Sequence, residues 1–440
     1  MVKHKKLLMA VVGALALFGA SAANAFGPIK AGDWDLSVAG NVNAFYNFSH
    51  CDTNAHSITG GLACTASPGG TTGVSSVTSG LLPSAIVFSA KTTQEGFDIG
   101  VVFGFYPDIN IDAVPGSDGG INMRQNFLTF GDKEMGTVKM GRDLGIFGSD
   151  AIISDFTILG VGGGVGSNAP GNTTLGRIGF GYIYADWIPQ ITYITPSFNG
   201  FQVSLGVFQP LKMQSDLTFS AHNLPMFQAK GTYDYDVSDV KGRVWAGGLI
   251  QRSTSNGSEN SVATTFTTFN SVLVGGVSVP IIPPLVFDTA GFTSPADSTN
   301  FGVTAYGGEV GVKGAVAGWE AVFYYYQTRG VGSTLLFANG IDSSGNKRNS
   351  DGGYAQLQYQ MGKWKPGISY GISRLRLGSG ESEATNPSLL FRNRMLTAQL
   401  QYSLTKALSL VGEYSYIKSD DQVGNKNMQG AYSLGAILFF

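Results

Sequence analysis

The sequence predicts an all-β fold: a 16-stranded antiparallel transmembrane β-barrel with long external loops on one rim and tight turns on the other. Three observations predict it. The first is composition. Of 440 residues, 43% are hydrophobic and 12% aromatic, 62 are glycine, and only 13% are charged, against about a quarter in ordinary soluble proteins. A disordered chain would be charge-rich and poor in aromatics. A helical membrane protein needs apolar runs of about 18 residues, and none occurs beyond the first 25 residues. The second is two-residue alternation of apolar with polar or small side chains, the mark of a strand with two different faces. The third is a strict alternation of long and short connections, which a soluble sandwich has no reason to show and a transmembrane barrel does.

Taken in order, the chain opens with a leader. Lys3, Lys5 and Lys6 precede an apolar run from Leu7 to Ala20, and Ala23-Asn24-Ala25 follows. This is the pattern of a secretory signal cleaved after Ala25; the run is too short for a membrane anchor. Without it, the formal net charge falls from −2 to −5, because three lysines and no acids are lost. No basic block points to nucleic acid. Cys51 and Cys64, the two cysteines, then share one polar stretch. Export makes a local disulfide the expectation. Zinc held by them with His50 and His56 is the other reading, but neither CxxC nor HxxxH spacing is present.

Strands are expected at 33–48, 82–93, 96–106, 121–131, 136–142, 177–195, 200–209 and 225–236. Eight more follow at 240–253, 301–314, 317–329, 352–361, 363–376, 391–403, 407–418 and 428–440. Phe201, Val203, Leu205 and Val207 alternate with Gln202, Ser204 and Gly206; Ala355, Leu357, Tyr359 and Met361 alternate with three glutamines. Short turns such as Gln94-Glu95 and Leu404-Thr405-Lys406 alternate with long polar connections. An even strand number returns both termini to the short-turn side. Lipid satisfies no backbone group, so such a sheet must close on itself. Trp34, Tyr106, Trp187, Trp319 and Trp364 near strand ends fit aromatic girdles. The apolar stretch 277–287 inside a long loop reads as a latch onto a neighbouring subunit or as packing within the loop.

Several motifs resemble a known family. The last strand, from Met428 to Phe440, ends on phenylalanine, like the terminal strand of Gram-negative outer-membrane proteins that the barrel assembly machinery reads. Gln401-Tyr402-Ser403-Leu404-Thr405-Lys406, with Glu413-Tyr414-Ser415-Tyr416 after it, resembles a hairpin of the proteobacterial 16-stranded trimeric porins. The segments Arg124–Gly131, Gly136–Arg142 and Tyr193–Phe201 do so too. The resemblance implies a cell outer-membrane homotrimer of water-filled pores, surrounded by lipid and lipopolysaccharide, with a third external loop folded inward. That loop would be 143–176; its run Ile152, Ile153, Phe156, Ile158, Leu159 suits packing against a wall, although the family's usual P-E-F-G-G tip is missing.

Selectivity in such a pore comes from charges in a narrow passage. Lys241 and Arg243 alternate with Val240, Val244 and Ile250, so parity turns both inward, as it does Lys139 and Lys230. The resemblance places Arg124, Arg142 and Arg177 at strand ends beside the loop, opposite its acids Asp143, Asp150 and Asp155. The expected function is passive diffusion of small hydrophilic solutes and ions between an arginine/lysine wall and an acidic inward loop. A channel selective for small carboxylates and a barrel adhesin or structural protein are the alternatives. No G-x-S-x-G, phosphate loop or zinc-protease motif occurs, and no histidine falls on an expected strand. An enzyme and a cofactor are therefore not expected.

Overall fold

The computed structural model describes residues 28–53, 56–65, 72–107, 109, 121–163, 173–213, 222–254, 271–274, 277–280, 302–342 and 344–440. The expected leader, 1–25, lies outside them. A closed antiparallel wall of sixteen strands accounts for most of the rest. Its first half is β1 (Trp34–Cys51), β2 (Ala85–Gln94), β3 (Phe97–Pro107), β4 (Ile121–Asp132), β5 (Gly136–Leu144), β6 (Trp187–Ile194), β7 (Phe201–Phe208) and β8 (Met226–Val237). The second half is β9 (Val240–Thr254), β10 (Gly302–Val316), β11 (Trp319–Arg329), β12 (Asn349–Tyr359), β13 (Trp364–Arg376), β14 (Leu390–Ser403), β15 (Leu408–Asp421) and β16 (Lys426–Phe439). Each strand pairs with the next in sequence. The barrel closes where β1 meets β16, from Asn41 opposite Phe439 to Cys51 opposite Gln429.

β1 is longer than its neighbours because it has several partners. Its first half pairs with β2 and its second half with a short strand, Gly73–Thr78, while Ile29–Ala31 folds back on its start. Short turns close one rim. Glu95-Gly96 and Ala317-Gly318 both carry positive φ at their two central positions (50° and 85°, 47° and 85°), the two-residue turn whose twist matches the strands it joins.

The alternation sorts the two faces as the sequence implies. Tyr46, Phe88, Phe103, Leu128, Ile191, Leu205, Phe323, Leu357, Tyr370 and Leu434 point outward and are exposed, as a lipid-facing band requires. Asn43, Asn47, Thr129, Gln190, Gln228, Gln356, Thr397, Gln399 and Gln429 occupy the opposite parity and are buried inside. Of the expected girdle, Trp319 and Trp364 do stand outward, against Tyr359 at 4.6 Å and Tyr402 at 4.4 Å. Tyr106 and Trp187 do not. Tyr106 has inward parity, is buried, and donates its hydroxyl to Gln125 Oε1 at 2.7 Å; Trp187 is buried beside it, ring centroids 5.9 Å apart.

One strand is much shorter than expected. β6 begins at Trp187, not at 177, because 177–186 stays in the preceding loop. Ile178, Phe180, Tyr182 and Ile183 are all buried there. The apolar run that mimics a strand is packed on more than one side. The apolar stretch beginning at 277 contributes Val277–Pro280 to a two-stranded hairpin with Ser271–Val274; the remainder, 281–287, lies outside the described residues.

Candidate functional site: a loop docked inside the barrel

The segment between β5 and β6 enters the lumen. It carries a short helix, α1 (Ser149–Ser154), and a 3-10 turn, Phe156–Leu159. Inward side chains of the wall hold its backbone in sequence. Gln228 Oε1 on β8 accepts from the N–H groups of Ile146 and Phe147 at 2.7 and 2.9 Å. Glu309 Oε2 on β10 accepts from Gly148 N at 2.9 Å. On β12, Tyr354 donates to the Ala151 carbonyl at 2.7 Å, and Gln356 Oε1 accepts from Phe156 N at 2.9 Å. Gln399 on β14 donates to the Phe156 carbonyl at 3.1 Å. Glu413 on β15 accepts from the N–H groups of Val161 and Gly162 at 2.5 and 3.2 Å, and Gln429 on β16 donates to the Gly163 carbonyl at 2.8 Å.

This is how an irregular backbone is tolerated inside a barrel: loop amides that leave water meet wall side chains, as at Ile146, Gly148, Phe156 and Val161, or partners within the loop, as at Ile152, Asp155 and Gly160. Apolar contacts fill the rest, with Phe147, Ile152, Ile178, Tyr182 and Ile183 packed on Trp245, Tyr324 and Tyr354 of the wall. The returning arm follows the same course. Arg177 donates from Nη1 to the Met395 carbonyl at 3.3 Å, and Gly181 N to Ser373 Oγ at 3.0 Å. The loop therefore lines the inner faces of β8 to β16 and leaves those of β2 to β7 opposite it.

Of the charged residues singled out in the sequence, the fold brings Asp150 and Arg243 together. Asp150 on α1 forms ion pairs with Lys230 of β8 and, at 3.1 Å, with Arg243 Nη1 of β9. Arg243 also grips Asp234 with two hydrogen bonds, Nε to Oδ1 at 2.6 Å and Nη2 to Oδ2 at 2.8 Å. Burial alone would raise the Asp150 pKa, but Lys230 and Arg243 outweigh it and hold the carboxyl at about 2. Asp150 is thus a fixed negative charge between two cations, with Arg243 and Asp234 partly open to the lumen.

The other expected residues are distributed differently. Arg177 is not at the head of a wall strand; it lies within the loop, fully buried, with its Nε 3.6 Å from Asp155. Asp155 accepts from Thr157 N at 3.0 Å and from the Tyr182 hydroxyl at 2.9 Å, so this pair braces the loop internally and faces no open passage. Asp143 is a wall residue of β5, neutralised by Lys139 Nζ at 2.6 Å and bonded to Gln125 at 3.1 Å. Arg142 takes the outward parity of Met140, is exposed, and donates from Nε to the Trp187 carbonyl at 3.0 Å, so it is not part of a lumen wall. Arg124 is buried on β4, with its guanidinium 5.3 Å from the Tyr106 ring centre. Lys241 has the expected parity but sits at the short-turn rim, 70% exposed, paired with Asp236 at 3.1 Å. Glu309 and Glu413, which anchor the loop, are not among the residues that the sequence pattern picks out. Their inward parity beside Val310 and Tyr414 was the available signal.

Cys51 and Cys64 are disulfide-bonded, with Cα atoms 5.2 Å apart. Residues 62–64 lie over the mouth above β14–β16: Leu62 N and Ala63 N donate to Ser419 Oγ at 2.9 and 3.0 Å, and Cys64 N to Gln429 Oε1 at 2.8 Å. Among the described residues no cluster of histidine, cysteine and carboxylate side chains could hold a metal ion.

A closed barrel with a lipid-facing exterior, a polar interior and a loop docked across its lumen defines a membrane channel. The profile of the Gram-negative porins matches residues 10–422, and the chain belongs to that family, whose members are outer-membrane channels and not enzymes. Its fold is similar to that of the outer membrane channel DcaP of Acinetobacter baumannii: TM-score 0.65, 15% identity, covering 94% of this chain and 100% of that one. It is also similar to Salmonella typhi OmpF, solved in complex with daunomycin, with TM-score 0.52, 14% identity and coverage of 94% and 100%. For Vibrio cholerae OmpT the values are 0.51, 12%, 94% and 100%. No curated protein matches the chain in sequence.

Proposed function

We propose that the protein is a passive diffusion pore for small hydrophilic solutes and ions. Their path runs between the docked loop and the inner faces of β2–β7. The observation that carries this reading is the loop itself, held across the lumen by wall side chains from β8 round to β16. A segment so placed narrows the barrel without sealing it. Selectivity is set where Asp150 meets Lys230 and Arg243, with Asp234 and the inward Lys313 nearby. Opposed fixed charges across a narrow passage favour polar solutes over apolar ones, because only polar solutes gain from the field. The active form is a homotrimer in lipid and lipopolysaccharide, assembled through the terminal strand that ends at Phe440.

Reconstitution into a planar bilayer tests this. Stepwise insertion of ohmic currents is expected, with a reversal potential under a KCl gradient that reports the sign of the preference. A detergent-resistant oligomer that separates to monomers on boiling is expected on gels. Purified, folded protein that never produces current steps would overturn the pore reading.

A further inference from the structure

The first external loop folds inward over the mouth of the barrel and returns. It leaves β1 at Cys51 and is tied back there by the disulfide to Cys64, 13 residues on. Between those points, inward side chains of the wall hold its backbone. The Asn427 amide of β16 accepts from His56 N at 2.9 Å and donates to the His56 carbonyl at 2.8 Å. Thr59 N donates to the Ser388 carbonyl at 2.8 Å, and the Thr59 carbonyl accepts from Leu390 N at 3.0 Å. Asn393 of β14 donates to the Gly60 carbonyl at 3.1 Å, before residues 62–64 turn back over Ser419 and Gln429.

What this segment covers is the returning arm of the docked loop. Leu62 packs against the buried cluster of Ala63, Phe180, Met395 and Ile417, and also against the one that holds Ile178, Tyr182 and Ile183. It meets the arm at Gly179, where φ is +79°. A methyl on Gly179 would stand 2.6 Å from Leu62 Cδ1 and 2.8 Å from Thr334 Oγ1. Glycine is what lets the two external loops come so close to the arm. From below, the wall grips the arm through Arg177 on the Met395 carbonyl and Gly181 N on Ser373 Oγ. From above, Leu62 contributes an apolar wedge. Apolar contact is non-directional, so the wedge holds the arm only while the backbone that carries it stays in place.

We propose that the disulfide-tethered segment 56–64 is a strap on the constriction, and that Leu62 is a positioning residue that keeps 177–183 against β13 and β14. The steadiness of the pore then depends on a covalent bond in a different external loop. The disulfide restricts the states open to a detached strap; once it is cleaved, 56–64 lifts more readily and the arm loses its cover. Cys64 is partly exposed, which leaves the bond open to a small reductant. Only the effect on current rests on the channel reading.

Hydrogen–deuterium exchange of the full, folded protein in detergent tests this, with and without a water-soluble trialkylphosphine. The phosphine breaks the S–S bond, two thiols form, and water supplies their protons and the oxygen of the phosphine oxide. Three segments are read: 56–64, 177–183 and, as control, 146–152, which Gln228, Glu309 and Tyr354 hold away from the strap. Reduction should speed exchange about a hundredfold in 56–64, as the loss of closure over a loop of this length implies. It should speed 177–183 about tenfold and leave 146–152 unchanged. L62A, with the disulfide intact, should speed 177–183 about tenfold and leave 56–64 within about twofold of wild type. C51S/C64S should match the reduced wild type, and reduction of folded protein carries the test if that variant does not fold. Faster exchange in 56–64 without a change in 177–183 overturns the proposal, as does an equal rise in 146–152. So does a strap that exchanges at the wild-type rate after full reduction, or an L62A arm that behaves as wild type. In a bilayer, reduced channels should show partial closures about tenfold more often. Protein that carries no current in either redox state would sink the pore reading and leave the exchange result standing.

Discussion

Replacing Asp150 by asparagine isolates the charge that ties the inward loop to the barrel wall. The substitution keeps the shape of the side chain and removes one negative charge from between Lys230 and Arg243. The carboxyl is held at about 2 by Lys230 and Arg243, and at about 1.4 kcal/mol per pH unit that depression is worth roughly 2 kcal/mol of docking at neutral pH. Lys230 loses its carboxylate partner, whereas Arg243 keeps Asp234. The passage gains one net positive charge. At about 6 Å from a permeating ion, a unit charge contributes about 0.7 kcal/mol in bulk water and about 1.4 kcal/mol at half that dielectric constant. Because the charge favours the anion and disfavours the cation by that amount each, the anion-to-cation permeability ratio should rise about tenfold to a hundredfold, read as a shift in reversal potential under a KCl gradient. The loop, less firmly held, should add open-channel noise.

The same residue gives a pH dependence with a defined sign. A carboxylate whose folded pKa is depressed stabilises fully above its unfolded pKa, and that contribution fades as pH falls through the folded value. Wild-type channels should therefore become noisier between about pH 4 and about pH 2 (the interval between 3.8 and about 2), while D150N, already lacking the charge, should not change there. If D150N keeps both the wild-type reversal potential and the wild-type acid response, Asp150 does not join the loop to a charged passage. The selectivity argument would then fail at its centre.

Two further outcomes follow from the same geometry. R243A should shift reversal potential toward cations, while K241A should leave it nearly unchanged, because Lys241 lies at the rim with Asp236 and away from the loop; equal shifts in the two variants would contradict this. Gly371 on β13 abuts the loop carbonyl of Phe180, so G371V should push the loop off the wall and into the passage at a cost of about 1–3 kcal/mol and lower single-channel conductance. G231A is the control, since a methyl there meets only the Phe201 ring at 3.6 Å, and wild-type conductance in G371V would count against the docked loop.

Much of this architecture was legible because a barrel wall has one simple rule. With lipid on one side and a polar lumen on the other, a single alternation fixes the facing of every residue until a bulge intervenes. That is why fifteen of the expected strands begin and end within a few residues of those in the structure, and why Arg243 could be turned inward from Val244 and Ile250 alone. Alternation fails where burial comes from packing on several sides. Residues 177–186 read as a strand because Ile178, Tyr182 and Tyr184 recur on even positions, but their partners are the lumen wall and the rest of the loop, not two different solvents.

Charge was harder to read than facing, for a related reason. Parity says which way a side chain points and is silent about what covers it. Asp155 and Arg177 looked like opposite banks of a passage; in the fold they find each other first, inside the loop, because two charges removed from water must be paired locally. Arg142 shows the converse. Family resemblance places it in the lumen, yet its register opposite Asn126 and Pro189 puts it on the outer face with Met140. The outward arginines of β13 and β14 obey the same parity rule: Arg374, Arg392 and Arg394 stand on the outer face, each paired with a buried carboxylate, Asp351 or Asp420. In the lumen, an excess of donors can be met by loop carbonyls and water. On the outer wall it is met by acids placed beneath it, Asp351 under Arg374 and Arg376 and Asp420 under Arg392 and Arg394.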